Sequence, residues 1–176
     1  MEIILKKYND KWPEFFDYEK KMVSKYLSRF HVDSIEHIGA TSACLCDTTG
    51  TIDVLIGLNS FTEVGSVTKK LSENGYTVVD KLSTPTCAFL YRKNADGNIV
   101  ATFRICENAS LTFLKFLGFK FYLSGDPKNA VKYNEFRKTL IEECKGNIKV
   151  YNQIKANYIN SIIDEFCKFN WYSKTI

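Results

Sequence analysis

The sequence predicts a single α+β domain in which helices flank a mixed β-sheet. Short apolar or alternating segments typical of strands occur between residues 34 and 106, and apolar residues with helical spacing dominate after residue 109. No linker, internal repeat or low-complexity run separates the two regions. We therefore expect an α/β core over about residues 1–108, with a helical part over about residues 109–176 packed on it in the same domain.

Composition limits the class of protein and its partners. With 176 residues, of which 45% are hydrophobic, the chain can bury one substantial core. The formal net charge of +4 is compatible with a small anionic ligand but does not favour nucleic acid. The sequence contains no run that resembles a membrane span or a signal peptide. We expect a cytoplasmic protein without a membrane partner, whose six cysteines are reduced and used in packing.

The first half of the chain contains three predicted strands and two predicted helices. Pro13 is tolerated in a first helical turn, so we expect a helix over about residues 11–29. Ser60 and Glu63 have the spacing of a capping box, which predicts a second helix that ends before Gly75. The predicted strands cover residues 34–38, 51–58 and 76–82, after an N-terminal segment over residues 2–5 that is a strand or an arm.

A β-hairpin and three helices are predicted in the second half. Residues 94–97 are typical of a turn, so the strands over residues 87–93 and 98–106 should pair antiparallel. Breaker residues at 124–127 and 146–147 divide the remainder into three helices. Helical spacing in the first of these predicts a core-facing stripe formed by Leu111, Leu114, Leu117 and Phe121.

A glycine-containing turn follows the strand over residues 34–38. Gly39, Thr41 and Ser42 offer backbone N–H groups and two hydroxyls with little bulk, which is how proteins approach a phosphate closely. His37 precedes this turn, so it could donate to a phosphate or act as a catalytic acid or base. The alternative for His37 is a hydrogen-bonded structural histidine.

The next strand carries one carboxylate, Asp53, on the face opposite its apolar residues. A glycine turn followed about a dozen residues later by an acidic strand is the outline of a nucleotidyltransferase site. In such sites, carboxylate-bound Mg²⁺ positions a triphosphate. We predict Asp53 as a catalytic residue and Mg²⁺ ligand, although the usual second carboxylate position is Leu55. The alternative for Asp53 is a polar residue that caps a neighbouring loop.

Two cations are candidates for anion binding. Arg104 shares a strand face with Thr102, and it would pair with Asp53 or bind an anion if the strand order brings the two strands together. Lys155 lies beside a predicted apolar stripe of the last helix, from which it could reach a ligand. A solvated surface position is the alternative for both residues.

Three blocks of the chain resemble the GrpB family of predicted nucleotidyltransferase-fold proteins. They are residues 35–42 with 52–54, residues 119–137, and Tyr151 with Lys155, Tyr158 and Ile159. The resemblance implies a nucleotidyltransferase-like sheet and transfer of a nucleotidyl group from an NTP to an acceptor. It also implies that Lys120 contributes to nucleotide or phosphate binding together with Lys155.

The chain departs from the family pattern at polar positions. Ala40 replaces a serine of the glycine turn, Thr102 and Arg104 replace two histidines, and Phe121 replaces an aspartate. These replacements indicate an altered site. Nucleotidyl transfer with Mg²⁺ and metal-free binding of a nucleotide or another phosphate anion both remain open. A third possibility is a protein-interaction role for the aromatic-rich helical third of the chain and its tail over residues 166–171.

Overall fold

Five strands form a mixed sheet at the centre of the protein. The computed structural model describes residues 3–172, with side chains over residues 3–165. In chain order the strands are β1 (Val32–Ile38), β2 (Ile52–Leu58), β3 (Tyr76–Val78), β4 (Cys87–Lys93) and β5 (Ile99–Glu107). Their order across the sheet is β1-β2-β5-β4-β3, in which β2 and β5 are parallel and the other neighbours are antiparallel.

Helices cover both faces of this sheet. The α-helices of the described residues are α1 (Trp12–Tyr26), α2 (Val64–Ser72), α3 (Leu111–Gly125), α4 (Pro127–Cys144) and α5 (Ile148–Tyr172). α1 and α2 pack on one face, α3 packs on the other, and α4 and α5 pack against α3. The predicted α+β class, with a mixed sheet and a C-terminal helical portion packed on it, is therefore confirmed. No helix in the described range 3–172 has the length and apolarity needed to cross a bilayer.

The central strand β2 is buried on both faces. Because side chains alternate along a strand, Val54 and Ile56 lie on the α1 side while Leu55 lies on the α3 side. Val54 and Ile56 pack with Val23 of α1, and Leu55 packs with Phe113 of α3. Full burial of such a side chain stabilises the folded state by about 1.5–3 kcal/mol. This two-sided burial explains the nearly continuous apolar sequence of β2.

Local sequence signals located most of these elements. Pro13 lies at the start of α1, and residues 94–97 form the turn of the β4–β5 hairpin. The predicted third strand is shorter than expected, because a 3₁₀ turn over Asp80–Leu82 follows Val78. Residues 3–5 form an arm and not a strand, and the next residue, Lys6, makes backbone hydrogen bonds of 2.8 and 2.7 Å with Thr48.

The predicted core-facing stripe of α3 is wrong. Leu111, Leu114 and Phe121 are 65%, 41% and 54% exposed, whereas Phe119 and Leu123 are buried. α3 is apolar around most of its circumference, so the spacing of its apolar residues cannot identify the packed face. Contacts with the sheet and with α4 and α5 determine which side is buried.

Side chains of α4 hold the loop between β1 and β2. The side-chain amide of Asn134 accepts a hydrogen bond from the Asp47 N–H and donates one to the Leu45 carbonyl, each at 2.8 Å. Arg137 donates to the Asp47 carbonyl at 2.7 Å. Because Asp47 is buried, its backbone groups need protein partners in place of water. These bonds fix the helical part of the protein against the end of the sheet.

We expect Asn134→Ala to lower the free energy of unfolding by about 2–4 kcal/mol, because it leaves a buried N–H and a carbonyl without partners. Urea denaturation of the two proteins measures the difference. Asn157→Ala is the matched control, since Asn157 is exposed on α5 and its side chain accepts one hydrogen bond, from Gln153, and its effect should stay within about 0.5 kcal/mol. Equal stabilities of the Asn134 variant and the control would show that the loop is not held in this way.

Candidate functional site

The register of the sheet places two neighbouring rows of residues, which include four polar side chains, on the α3 side. Asp53 of β2 is paired with Ile38 of β1 and with Thr102 of β5. One pleat further along the same face, Glu36, Leu55 and Arg104 form the next row. The parallel pairing of β2 and β5 thus brings Asp53 and Arg104 onto one face, in neighbouring rows.

The glycine turn and the acidic strand are in direct contact. A Cβ atom on Gly39 would lie 2.5 Å from Oδ2 of Asp53, and Gly39 has a φ of 73°. Both the positive φ and the close approach therefore require glycine at this position. The other carboxylate oxygen, Oδ1, accepts a hydrogen bond of 2.5 Å from the hydroxyl of Thr102. Asp53 is held between the turn and β5.

The two hydroxyls of the turn have partners within the protein. Ser42 Oγ donates to the Gly39 carbonyl at 2.7 Å, which closes the turn on itself. Thr41 is buried, and its hydroxyl lies 2.9 Å from Nε2 of His37. These contacts stabilise the turn, and a phosphate could accept from the Ser42 hydroxyl only by displacing the Gly39 carbonyl.

The side chain of His37 lies on the opposite side of the sheet from that of Asp53. His37 is paired with Val54, whose side chain lies on the α1 side, and its ring stacks on Phe16 with 4.7 Å between ring centres. Burial, aided by the charge of Lys120, lowers the pKa of His37 to about 4. His37 is therefore neutral at physiological pH and faces away from the carboxylate. These properties favour the structural alternative over the predicted acid–base role.

The carboxylates do not form a metal-binding set. Leu55 is fully buried where a second carboxylate would stand, and Glu36 is paired with Lys120 at 3.0 Å. Among the described residues, no group of three or more His, Cys, Asp or Glu side chains is placed to hold a metal ion. Mg²⁺ prefers several oxygen ligands in a near-octahedral shell. The residues present do not fit a protein-held Mg²⁺ at Asp53.

Arg104 lies between two aromatic rings. Its guanidinium is 5.0 Å from the ring centre of Phe89 and 4.8 Å from that of Phe116. It makes no direct ion pair with Asp53, contrary to one of the arrangements expected from the sequence, because its register partner is Leu55. The two aromatic faces orient the cation.

Lys155 of α5 extends toward this face of the sheet. Burial lowers its pKa, the negative charge of Asp53 opposes that shift, and the positive charges of Arg137 and Arg104 reinforce it. Its amine lies 5.3 Å from the ring centre of Tyr151. Within residues 3–165, Lys155 has no hydrogen-bond or ion-pair partner. A partly buried cation without a direct partner among those residues thus lies within electrostatic range of Asp53.

Two residues of α4 complete the surroundings of Lys155 and were not predicted. Arg137 donates to the hydroxyl of Tyr151 at 3.2 Å and lies 5.1 Å from the ring centre of Tyr133. Burial raises the pKa of Tyr133, and the charge of Asp53 adds to that increase. The sequence feature that could have identified Arg137 is an arginine on the apolar face of a predicted helix. The cavities of 480 and 540 Å³ beside α1 are lined by none of Asp53, Arg104, Arg137 and Lys155.

The depressed pKa of His37 makes the protein sensitive to acid. The unfolded chain binds a proton near the ordinary pKa of 6.5, whereas the folded chain does so only near 4. The stability contributed by neutral His37 is therefore complete above pH 6.5 and is lost as the pH falls toward 4. We expect His37→Gln to reduce the acid-induced loss of unfolding free energy by about 2–3 kcal/mol in urea titrations.

His31→Gln is the matched control for this titration. Its hydrogen bond and ion pair with Glu63 raise the pKa of His31, so removing it cannot reduce the loss of stability in acid. The same acid-induced loss in the parent and in the His37 variant would show that His37 is protonated normally in the folded protein.

Comparisons with known proteins agree with this fold. UPF0157 protein YqkA of Bacillus subtilis (strain 168) is 29% identical over 161 residues, which cover 92% of this chain and 46% of that protein. The chain thus spans less than half the length of that relative. A crystal structure of conserved protein GrpB from Enterococcus faecalis has a TM-score of 0.82 at 24% identity, covering 96% of this chain and 99% of the other.

A more distant similarity links the fold to a polymerase. A structure of a Cid1 poly(U) polymerase mutant bound to MgATP has a TM-score of 0.54 at 16% identity, covering 76% of this chain and 45% of that chain. This likeness shows that the fold resembles that of a nucleotidyltransferase. The model of the GrpB protein family matches residues 2–165. The chain therefore belongs to the GrpB family.

Proposed function

We propose that the protein binds a nucleotide or another phosphate anion without a metal ion, between the Asp53 face of the sheet and α5. The observation that carries this proposal is Lys155, which is partly buried and whose amine lacks a direct partner within the described side chains. Removing a charged amine from water is costly unless an opposite charge compensates it. A phosphate oxygen would supply that charge.

The charges near Lys155 favour an anion. Arg104 and Arg137 both raise the positive potential at Lys155, and Asp53 is the opposing charge. One carboxylate oxygen of Asp53 already accepts a hydrogen bond from the hydroxyl of Thr102. The excess of cations over carboxylates suits a ligand with two or more negative charges. An arginine side chain can bind phosphate oxygens in pairs, and a lysine adds a point charge.

The donor set also supports binding without a metal. Leu55 and the Glu36–Lys120 ion pair leave Asp53 as a single carboxylate among cations. In this arrangement Lys155 and Arg104 neutralise the phosphate charge that Mg²⁺ neutralises in other nucleotide sites. Lys120 belongs to the ligand site only if the anion competes with Glu36 for it.

Isothermal titration with ATP and with inorganic tripolyphosphate in the presence of EDTA tests the proposal. We expect the parent protein to bind and Lys155→Met to weaken binding about tenfold or more, because one charge-assisted hydrogen bond is lost. Lys149→Met, an exposed lysine on the same helix, is the matched control and should bind like the parent at a fixed salt concentration.

The outcomes of this titration separate the alternatives. No binding of either ligand at millimolar concentration, with EDTA or with Mg²⁺, would exclude a nucleotide or polyphosphate site. Equal loss of affinity in the Lys149 and Lys155 variants would indicate general charge attraction instead of a site.

Nucleotidyl transfer is the second candidate. The similarity of the fold to the MgATP-bound Cid1 mutant favours it, as does the contact between Gly39 and the carboxylate of Asp53. An assay with α-labelled NTPs and Mg²⁺ would detect transfer to the protein or to an added acceptor. Under the binding proposal, Asp53→Asn keeps or strengthens anion binding in EDTA, because it removes the negative charge. A Mg²⁺-dependent transfer activity that this variant abolishes would support the enzyme instead.

A further inference from the structure

Two cysteines face each other across the β4–β5 hairpin. Cys87 is the first residue of β4, and it is directly paired with Cys106 of β5 in antiparallel register. Both are free thiols and both are buried. Directly opposed residues of an antiparallel pair have Cβ atoms about 4.5–5.5 Å apart, whereas a disulfide needs about 3.5–4.5 Å. A small movement of the two strands is therefore enough to bond the sulfurs.

The surroundings of the pair promote thiolate chemistry at Cys87. Cys106 and the positive charge of Arg104 both favour the charged form of Cys87. Together these contacts lower the pKa of Cys87, although burial opposes them. The thiolate is the reactive form of cysteine, and a neighbouring arginine stabilises it. Of the two sulfurs, Cys87 is therefore the one that reacts first.

Cys87 lies at a strand end that can open locally. The exposed residues 84–86 precede it, and a single bridge between Thr84 and Cys87 closes this turn, with N–O distances of 2.8 and 3.3 Å. Opening the end of a strand requires much less free energy than unfolding the domain. A small oxidant can therefore reach Cys87 without disrupting the sheet.

We propose that Cys87 and Cys106 are an oxidation site at which a peroxide closes a disulfide bond between β4 and β5. In the first step the Cys87 thiolate attacks hydrogen peroxide, so that an S–O bond forms, the O–O bond breaks and hydroxide leaves. In the second step the Cys106 sulfur attacks Cys87, its proton goes to the departing hydroxide, and water leaves as the S–S bond forms. The hydroxide released in the first step takes up the proton that Cys87 lost on ionising, so the peroxide is reduced to two waters and the two thiols are oxidised together.

Mass spectrometry of the full chain tests this proposal. The protein is treated with hydrogen peroxide, its remaining thiols are alkylated under denaturing conditions, and the digest is analysed with and without dithiothreitol. We expect a peptide pair joined through Cys87 and Cys106 that dithiothreitol separates. Cys44 is exposed, and its oxidation reports that the peroxide reached the protein.

Variants assign the order of the steps. Cys106→Ser removes the resolving thiol, so a sulfenic acid should accumulate at Cys87 and react with dimedone. Cys46→Ser is the matched control: Cys46 is equally buried, but burial raises its pKa to about 11 and it lacks a facing cysteine, so the disulfide yield should not change. Full alkylation of Cys87 and Cys106 while Cys44 is oxidised would overturn the proposal, as would a disulfide that joins either residue to another cysteine.

Discussion

The arrangement of this protein depends on the hydrogen bonds by which α4 holds the buried loop between β1 and β2. Asn134 and Arg137 of α4 provide hydrogen-bond partners for the Leu45 carbonyl and for both backbone groups of Asp47. The carboxylate of Asp47 is in turn paired with Lys7 at 3.1 Å and with Lys138 at 3.3 Å. Because buried backbone groups are costly to leave unpaired, the helical part has one position on the sheet.

This anchor also positions the candidate site. The Arg137 guanidinium that binds the loop donates to Tyr151, and Tyr151 lies beneath the amine of Lys155 on the next turn of α5. A continuous chain of contacts therefore runs from the loop to the cation near Asp53. The site is consequently a product of how two parts of the domain pack, with Asp53 supplied by the sheet and Lys155 by the last helix.

The sequence predicted the features that depend on neighbours along the chain. The glycine turn and Asp53 belong to consecutive strands joined by one loop, so their contact follows from the antiparallel pairing of β1 and β2. Strand register decides whether His37 and Asp53 lie on the same side of the sheet, and register cannot be read from a single sequence. Register also determined that Arg104 lies beside Leu55 and not beside Asp53.

Features that depend on distant packing could not be predicted in the same way. The packed face of α3 is set by α4 and α5, since α3 itself is apolar almost all round. The position of Lys155 near Asp53 depends on the anchor in α4, about 90 residues after the loop that it holds. The side chains of residues 166–171, for which the sequence suggested an interaction role, lie outside the described residues.

The most direct test of this account is the titration of Lys155 by NMR, with lysine side chains labelled at the ε position. We expect the free protein to show a lysine signal with a pKa below the ordinary value of 10.5 that is absent in Lys155→Met. Adding tripolyphosphate in EDTA should raise that pKa, because a bound anion favours the charged amine. A normal pKa for Lys155 that does not respond to the anion would contradict the proposed site.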